Sequence, residues 1–263
     1  MLFCRAMLEI PIDLGLRRYT VSVGRGLVRR LPERLSALRG RRIVLVASRR
    51  VFALHGRPVE KGLRTLGPLE VTLVPDGERF KARKTLEGLY EAFLAARLGR
   101  DGLVVALGGG VVGDLAGYAA ATYMRGVDWV ALPTTLLSMV DSSIGGKVGI
   151  NHPGAKNLIG AFHQPRAVVA DPALLETLPL RELRAGAYEV LKCAILGDRA
   201  LFSDLGAAPV GLRGWPLASI ERAIVSACAL QADIVERDER EGGLRRVLNL
   251  GPTLGPALES VTR

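Results

Sequence analysis

Gly108, Gly110 and Gly113 stand at the spacing G-x-G-x-x-G, directly after the apolar run Leu103–Leu107 and before an alanine-rich stretch. In that strand-to-helix context main-chain N–H groups and a helix N-terminus can hold a pyrophosphate, although a tight glycine turn without a ligand has the same spacing. A dinucleotide site also wants a carboxylate for the ribose about 20 residues on, at the end of the next strand. Asp128 has the distance but precedes its strand. The ribose contact is therefore expected from Asp76-Gly77-Glu78-Arg79-Phe80-Lys81 after the preceding strand, a segment that a solvated turn before a helix would also explain.

A second concentration of chemistry runs from Pro133 through Thr134, Thr135, Ser138, Asp141, Ser142 and Ser143 to Lys147, and on through Asn151 and His152 to Lys156 and Asn157. Hydroxyls, one carboxylate, two lysines and an asparagine on a short, glycine-broken segment suit a polyhydroxylated, phosphorylated molecule. Gly146-Lys147 is not a Walker loop, because the hydroxyl residue after the lysine and the glycine five residues earlier are missing. Glu189 and Lys192, three apart, share one face of a helix, which suits a carboxylate on a metal with an ammonium beside it, or simply a surface ion pair.

These residues need a frame. The runs Ile43–Ala47, Val71–Val74, Leu103–Leu107, Trp129–Leu132 and Ala167–Ala170 read as strands buried on both faces, with crossover helices such as Lys81–Leu98 between them. Ile10–Ile12 and Tyr19–Val23 read as additional edge strands. After Asp171 the pattern turns helical, with helices expected over Arg181–Leu196, Leu217–Val235 and Leu244–Leu258. The expected fold is α/β: a parallel-sheet domain over residues 1–171, followed by an all-α domain over 172–263.

Composition narrows the class. With 263 residues, half of them apolar, the chain can bury a large core. No run of about 18 apolar residues is present and the first residues lack a signal-peptide pattern, so a cytoplasmic location and no membrane partner are expected. The cysteines Cys4, Cys193 and Cys228 are scattered, which argues for thiols. The net charge of +10 comes from arginines spread along the chain, and aromatics make up only 5%, so nucleic acid is not the expected partner. Only six of the 36 basic residues are lysine, and Lys81, Lys147, Lys156 and Lys192 all lie in or beside the motifs above. A compact ammonium there would do what the planar fork of arginine cannot, although an ordinary surface lysine would read the same way.

Together, Asp76-Gly77-Glu78, Gly108–Asp114, Pro133–Lys147, Asn151–Asn157, Gly160-Ala161-Phe162, Glu189-Val190-Leu191-Lys192, Asp238–Glu241 and Leu248-Asn249 resemble the 3-dehydroquinate synthase family of sugar-phosphate cyclases. The resemblance implies an NAD-binding α/β domain and a helical domain holding zinc or cobalt. It implies conversion of 3-deoxy-D-arabino-heptulosonate 7-phosphate to 3-dehydroquinate plus phosphate, in the shikimate pathway to the aromatic amino acids. By motif, Asp76, Glu78 and Lys81 would hold the adenosine, Gly110, Val111, Val112, Gly113 and Asp114 the pyrophosphate, and Thr134 and Thr135 the nicotinamide side. Leu175 and Thr177 would lie beside the cofactor. Lys147, Lys156 and Asn157 would line the cofactor and phosphate region, and Asp141 and Lys192 would contact substrate hydroxyls. Glu189 would be a metal ligand, and Arg245 and Asn249 would add polar contacts. Arg125 would reach the phosphate in a neighbouring subunit, which implies a homodimer.

The chain departs from the family pattern Asn-x-Gly-His-Thr-x-Gly-His-Ala-x-Glu at Pro252 and Pro256, which replace both histidines, and Gln231 stands at a lysine position. The family pattern also continues past residue 263 to a further histidine ligand and a phosphate-binding lysine, so the helical domain here is expected to be incomplete. A helix through Pro252 and Pro256 is expected to start late or kink. The alternatives are a related sugar-phosphate cyclase, a metal-dependent polyol dehydrogenase, or a non-catalytic NAD-binding homologue.

Overall fold

Runs of aliphatic residues become the inner strands of a sheet, because only there can both faces of such a run leave water. A computed structural model of the chain describes residues 7–249. Its strands are β1 (Leu8–Ile12), β2 (Tyr19–Val23), β3 (Ile43–Ser48), β4 (Leu69–Val74), β5 (Leu103–Gly108), β6 (Asp128–Pro133), β7 (Lys147–His152), β8 (Ala155–Phe162) and β9 (Ala167–Ala170). The longer helices are α1 (Arg57–Arg64), α2 (Arg83–Ala95), α3 (Gly110–Thr122), α4 (Leu180–Gly197), α5 (Arg199–Gly206) and α6 (Leu217–Arg237).

Seven strands form one sheet in the order β1-β2-β9-β6-β5-β3-β4. All its pairs are parallel except β1 with β2. Every residue of β3 and of β5 is buried, as their unbroken apolar runs require. Each large aliphatic side chain so buried contributes about 1.5–3 kcal/mol. Only β1 of the first two strands is an edge. β2 pairs in parallel with β9, Thr20 opposite Ala167, and Tyr19, Val21 and Val23 are buried, so its expected edge position is corrected to an inner one.

The glycine-broken segment after residue 146 is a two-stranded antiparallel hairpin of β7 and β8, with Lys147 opposite Phe162. Gly149 and Gly160 face each other, and a Cβ on Gly149 would meet Ile159 O at 2.5 Å. Glycines that read as breakers are here what lets two backbones close up. Helix α3 packs on this hairpin through a small-residue face: Ala116 and Ala120 are buried, and a Cβ on Gly117 would meet Val148 Cγ1 at 2.5 Å.

The crossover expected from Lys81 forms a helix only from Arg83, since Lys81 and Ala82 have non-helical dihedral angles. Helices α4 and α6 match the helical expectation, and α5 is an addition whose start Asp198 caps by accepting from Leu201 N–H at 2.9 Å. The third expected helix is, over its described part, a 3-10 turn at Leu244–Asn249. Pro252 and Pro256, with the kink expected there, lie outside the described residues. Among the described residues no helix is long and apolar enough to cross a membrane.

Candidate active site

A cleft of about 1120 Å³ opens between α3, the hairpin, the turn Ser138–Ser142, helices α4 and α6, and the turn Leu244–Asn249. Its walls include Asp114, Asp141, Ser142, Lys147, Asn157, Glu189, Lys192, Gln231, Glu241, Arg245 and Asn249. Side chains distributed over more than 130 positions of the sequence thus face one space.

Asp114 of α3 lines one end, directly after the glycine loop. β5 stops at Gly108 and α3 begins at Gly110, with Gly109 extended between them. A Cβ at Gly108 would meet Val112 Cβ at 2.5 Å, and one at Gly109 would meet Thr135 Cγ2 at 2.9 Å, so neither position tolerates a side chain without rearrangement. Around Gly113 a Cβ would meet nothing within 4 Å, which leaves free space over the first turn of α3. Ser142 Oγ is buried, lines the cleft and has no hydrogen-bond partner among the described residues. Open space at a helix N-terminus, unsubstituted glycine and an unused hydroxyl fit a dinucleotide pyrophosphate.

Lys81 is buried, and its ammonium bridges Asp114 and Asn157, donating to Asn157 Oδ1 at 2.5 Å. Burial pushes Asp114 up to about 6, against the lowering effect of Lys81. Asn151 ties the same end together: its side chain donates to Glu78 Oε1 at 2.7 Å and accepts from Asn157 N–H at 2.8 Å. Asn157 sits at φ 55°, a left-handed conformation that asparagine adopts more readily than most residues.

Across the cleft, Lys192 on α4 pairs with Glu189 one turn before it. Burial and then the charge of Asp141 push Glu189 up, with Lys192 opposing. Burial pulls Lys192 down, but Asp141 and Glu189 outweigh it and hold the ammonium above its ordinary value. Asp141 in turn accepts from Gln231 Nε2 at 2.8 Å. Lys147 pairs with Glu241 at 2.6 Å, and Glu241 also accepts from Asn249. Burial works to raise Glu241, yet Lys147 and Asn249 hold it below its ordinary range.

Other sequence candidates sit outside this cleft. Asp76 accepts from Arg50 N–H at 3.2 Å at the ends of β3 and β4. Thr134 is buried behind the glycine loop, its N–H donating to Gly108 O at 2.9 Å. The Thr135 hydroxyl is engaged in a reciprocal cap with Ser138, at 3.1 Å from Ser138 N–H. Leu175 is buried, and Thr177 pairs with His55 Nε2 at 2.8 Å. Lys156 and Arg125 are exposed, Arg125 at φ 67° in the turn Tyr123–Arg125. Glu241 and Gln231 gain partners that spacing did not announce, although Glu241 lies in a motif that carried the resemblance.

Of the ligands that the metal expectation names, the described residues include Glu189. A catalytic zinc normally has three protein ligands, and among the described residues no group of three or more His, Cys, Asp or Glu could hold a metal ion. His55 bonds Thr177, His163 bonds Val127 O at 2.8 Å, and the His152 ring accepts from Gly154 N–H at 3.1 Å. Glu189 is paired with the Lys192 ammonium.

Residues 71–185 match the 3-dehydroquinate synthase N-terminal family, and residues 186–263 match the 3-dehydroquinate synthase C-terminal family. The chain belongs to the 3-dehydroquinate synthase family. It is 48% identical over 260 residues to 3-dehydroquinate synthase of Geobacter metallireducens, covering 97% of this chain and 71% of that protein. It is 42% identical over 254 residues to the Shewanella loihica 3-dehydroquinate synthase, covering 97% and 71%. Among solved structures it resembles 2-epi-5-epi-valiolone synthase from Streptomyces hygroscopicus, solved with NAD+ and Zn2+ bound, at TM-score 0.82 and 29% identity over 99% of this chain and 71% of the other. The two family segments meet inside α4, so one helix belongs to both.

Proposed function

We propose that this chain acts as a 3-dehydroquinate synthase, a phosphate-eliminating lyase that converts 3-deoxy-D-arabino-heptulosonate 7-phosphate to 3-dehydroquinate with NAD as a recycled cofactor. The observation that carries the reading is that the side chains of Asp141, Lys147, Asn157 and Lys192 line one cleft together with Asp114, which directly follows the glycine loop on α3. When bound, NAD supplies transient oxidation of a ring hydroxyl, which acidifies the neighbouring C–H for phosphate loss. Gly110–Gly113 would hold its pyrophosphate, with Asp76 and Glu78 toward the adenosine. Lys147, Lys156 and Asn157 would neutralise and orient the phosphate group, while Asp141 and Lys192 would take the substrate hydroxyls. No step is assigned to a metal, because the described ligands do not fit one.

Within the same reading the chain is a cytoplasmic enzyme that divides near residue 171, where the last strand ends and helices take over. It forms a homodimer in which exposed Arg125 reaches the neighbouring site. The test is phosphate release from the heptulosonate phosphate with NAD and zinc, by this chain and by the P252H/P256H variant. Turnover by the unmodified chain supports the synthase. NAD binding without turnover in either protein would instead favour a non-catalytic homologue, which the ligand deficit around Glu189 suggests.

A further inference from the structure

We propose that Tyr19 is a positioning residue of the cleft, clamping Gly145 together with Arg245 so that Lys147 is held where a substrate phosphate would bind. The inference rests on the reading of Lys147 as a phosphate contact. Gly145 N–H donates to the Tyr19 hydroxyl at 3.0 Å, and Arg245 Nη1 donates to Gly145 O at 3.0 Å. Both polar main-chain groups of one residue are thus held by side chains from distant parts of the chain, one on β2 and one on the turn Leu244–Asn249. Tyr19 is 5% exposed and Arg245 3%, so water does not compete for either bond.

The clamped residue is one that needs holding. Gly145 and Gly146 have φ of 83° and 68°, a left-handed pair open to glycine and otherwise costly. A Cβ on Gly145 would run into the Arg245 guanidinium, and one on Gly146 would meet Gln164 Cδ at 2.7 Å. Gly146 O accepts from His163 N–H at 2.8 Å, which starts the hairpin register. Lys147 follows at once, its ammonium on Glu241 at 2.6 Å.

Arg245 is itself braced. Its N–H donates to Asp238 Oδ2 at 2.9 Å, and Nη1 also donates to Glu239 O at 2.5 Å. Both hydrogen bonds of Nη1 thus go to main-chain carbonyls, so Arg245 acts through Gly145 as well as lining the cleft. Burial pushes the Tyr19 phenol well above its ordinary value, so its oxygen stays a neutral acceptor across the working pH range.

The experiment is calorimetric titration of the NAD-loaded protein with the heptulosonate 7-phosphate and, separately, with the same sugar acid lacking phosphate. Tyr19→Phe keeps the ring and removes the acceptor, and is expected to weaken the phosphorylated ligand about fivefold to tenfold. The unphosphorylated ligand and NAD should change less than about twofold, a selectivity that general loosening of the fold would not produce. Arg245→Lys should show the same phosphate-selective loss, and it carries the test alone if Tyr19→Phe does not fold. The double variant should lose no more than about tenfold, because both act on one residue. Equal loss for both ligands, no loss, or multiplying losses in the double variant would overturn the clamp. If wild type binds the phosphorylated ligand and Tyr19→Phe binds it equally, only the clamp fails. If wild type does not bind it, the functional reading falls and the clamp with it.

Discussion

Behind Asp114 at one end of the cleft, the glycine loop packs through bare Cα positions on β5 and α3, whereas the opposite wall presents Glu189, Lys192 and Gln231 as side chains from α4 and α6. The first wall is rigid because the buried sheet behind it is rigid. The second depends on side chains pairing with one another: Lys192 with Glu189, and Gln231 with Asp141. Gln231, at a position where the family pattern has lysine, keeps that second frame standing by donating to Asp141. The first wall has no such freedom, since a single added methyl group meets Val112 or Thr135.

The contrast can be broken most sharply at Lys81, which joins the glycine-loop wall to the hairpin. Its side chain is 5% exposed and that of Asp114 19%, so Lys81→Met strands a buried carboxylate and is expected to cost about 3–5 kcal/mol in urea unfolding. A loss below about 1 kcal/mol would show that the glycine-loop wall does not depend on the hairpin. Next comes the pH response of the same pair. The fold raises Asp114 from 3.8 to about 6, so its charged form subtracts stability above about pH 6, and that cost is relieved as pH falls through 6 toward 3.8. Asp114→Asn removes the response, so the variant should gain about 2 kcal/mol relative to wild type between pH 4 and pH 7.5. A difference that does not change with pH would refute the assignment.

Gly108→Ala tests the rigidity of the first wall directly. The new Cβ falls 2.5 Å from Val112, and the expected loss is about 1–3 kcal/mol with NAD affinity down at least about tenfold. Unchanged NAD affinity in a folded variant would move the cofactor elsewhere. The smallest effect belongs to a pair outside both walls: Arg83 and Glu87 on α2 are 86% and 57% exposed, and Arg83→Ala should cost no more than about 0.5 kcal/mol in thermal unfolding.

The two walls also differed in how far the residues announced them. The loop Gly108–Gly113 was legible because strand, turn and helix start are consecutive in sequence, and local chemistry fixes all three. Glu189 and Lys192 were legible as a pair because helical spacing puts them on one face. Glu241 on Lys147, Gln231 on Asp141 and Tyr19 on Gly145 were not, since each joins residues 90 or more positions apart along the chain. The hairpin was hidden for another reason: Gly149 and Gly160 look like strand breakers until they are seen opposite each other.

The order of amino acids by itself determined the parallel-strand runs, the glycine turn, the helical change after Asp171 and the family resemblance, because each is written in neighbouring residues and their periodicity. Only the tertiary structure decided that β2 lies inside the sheet, that Arg245 is occupied by main-chain carbonyls and that Lys81 bridges Asp114 and Asn157. Those outcomes follow from which distant groups burial leaves in want of a partner, and such a want exists only once the chain has folded.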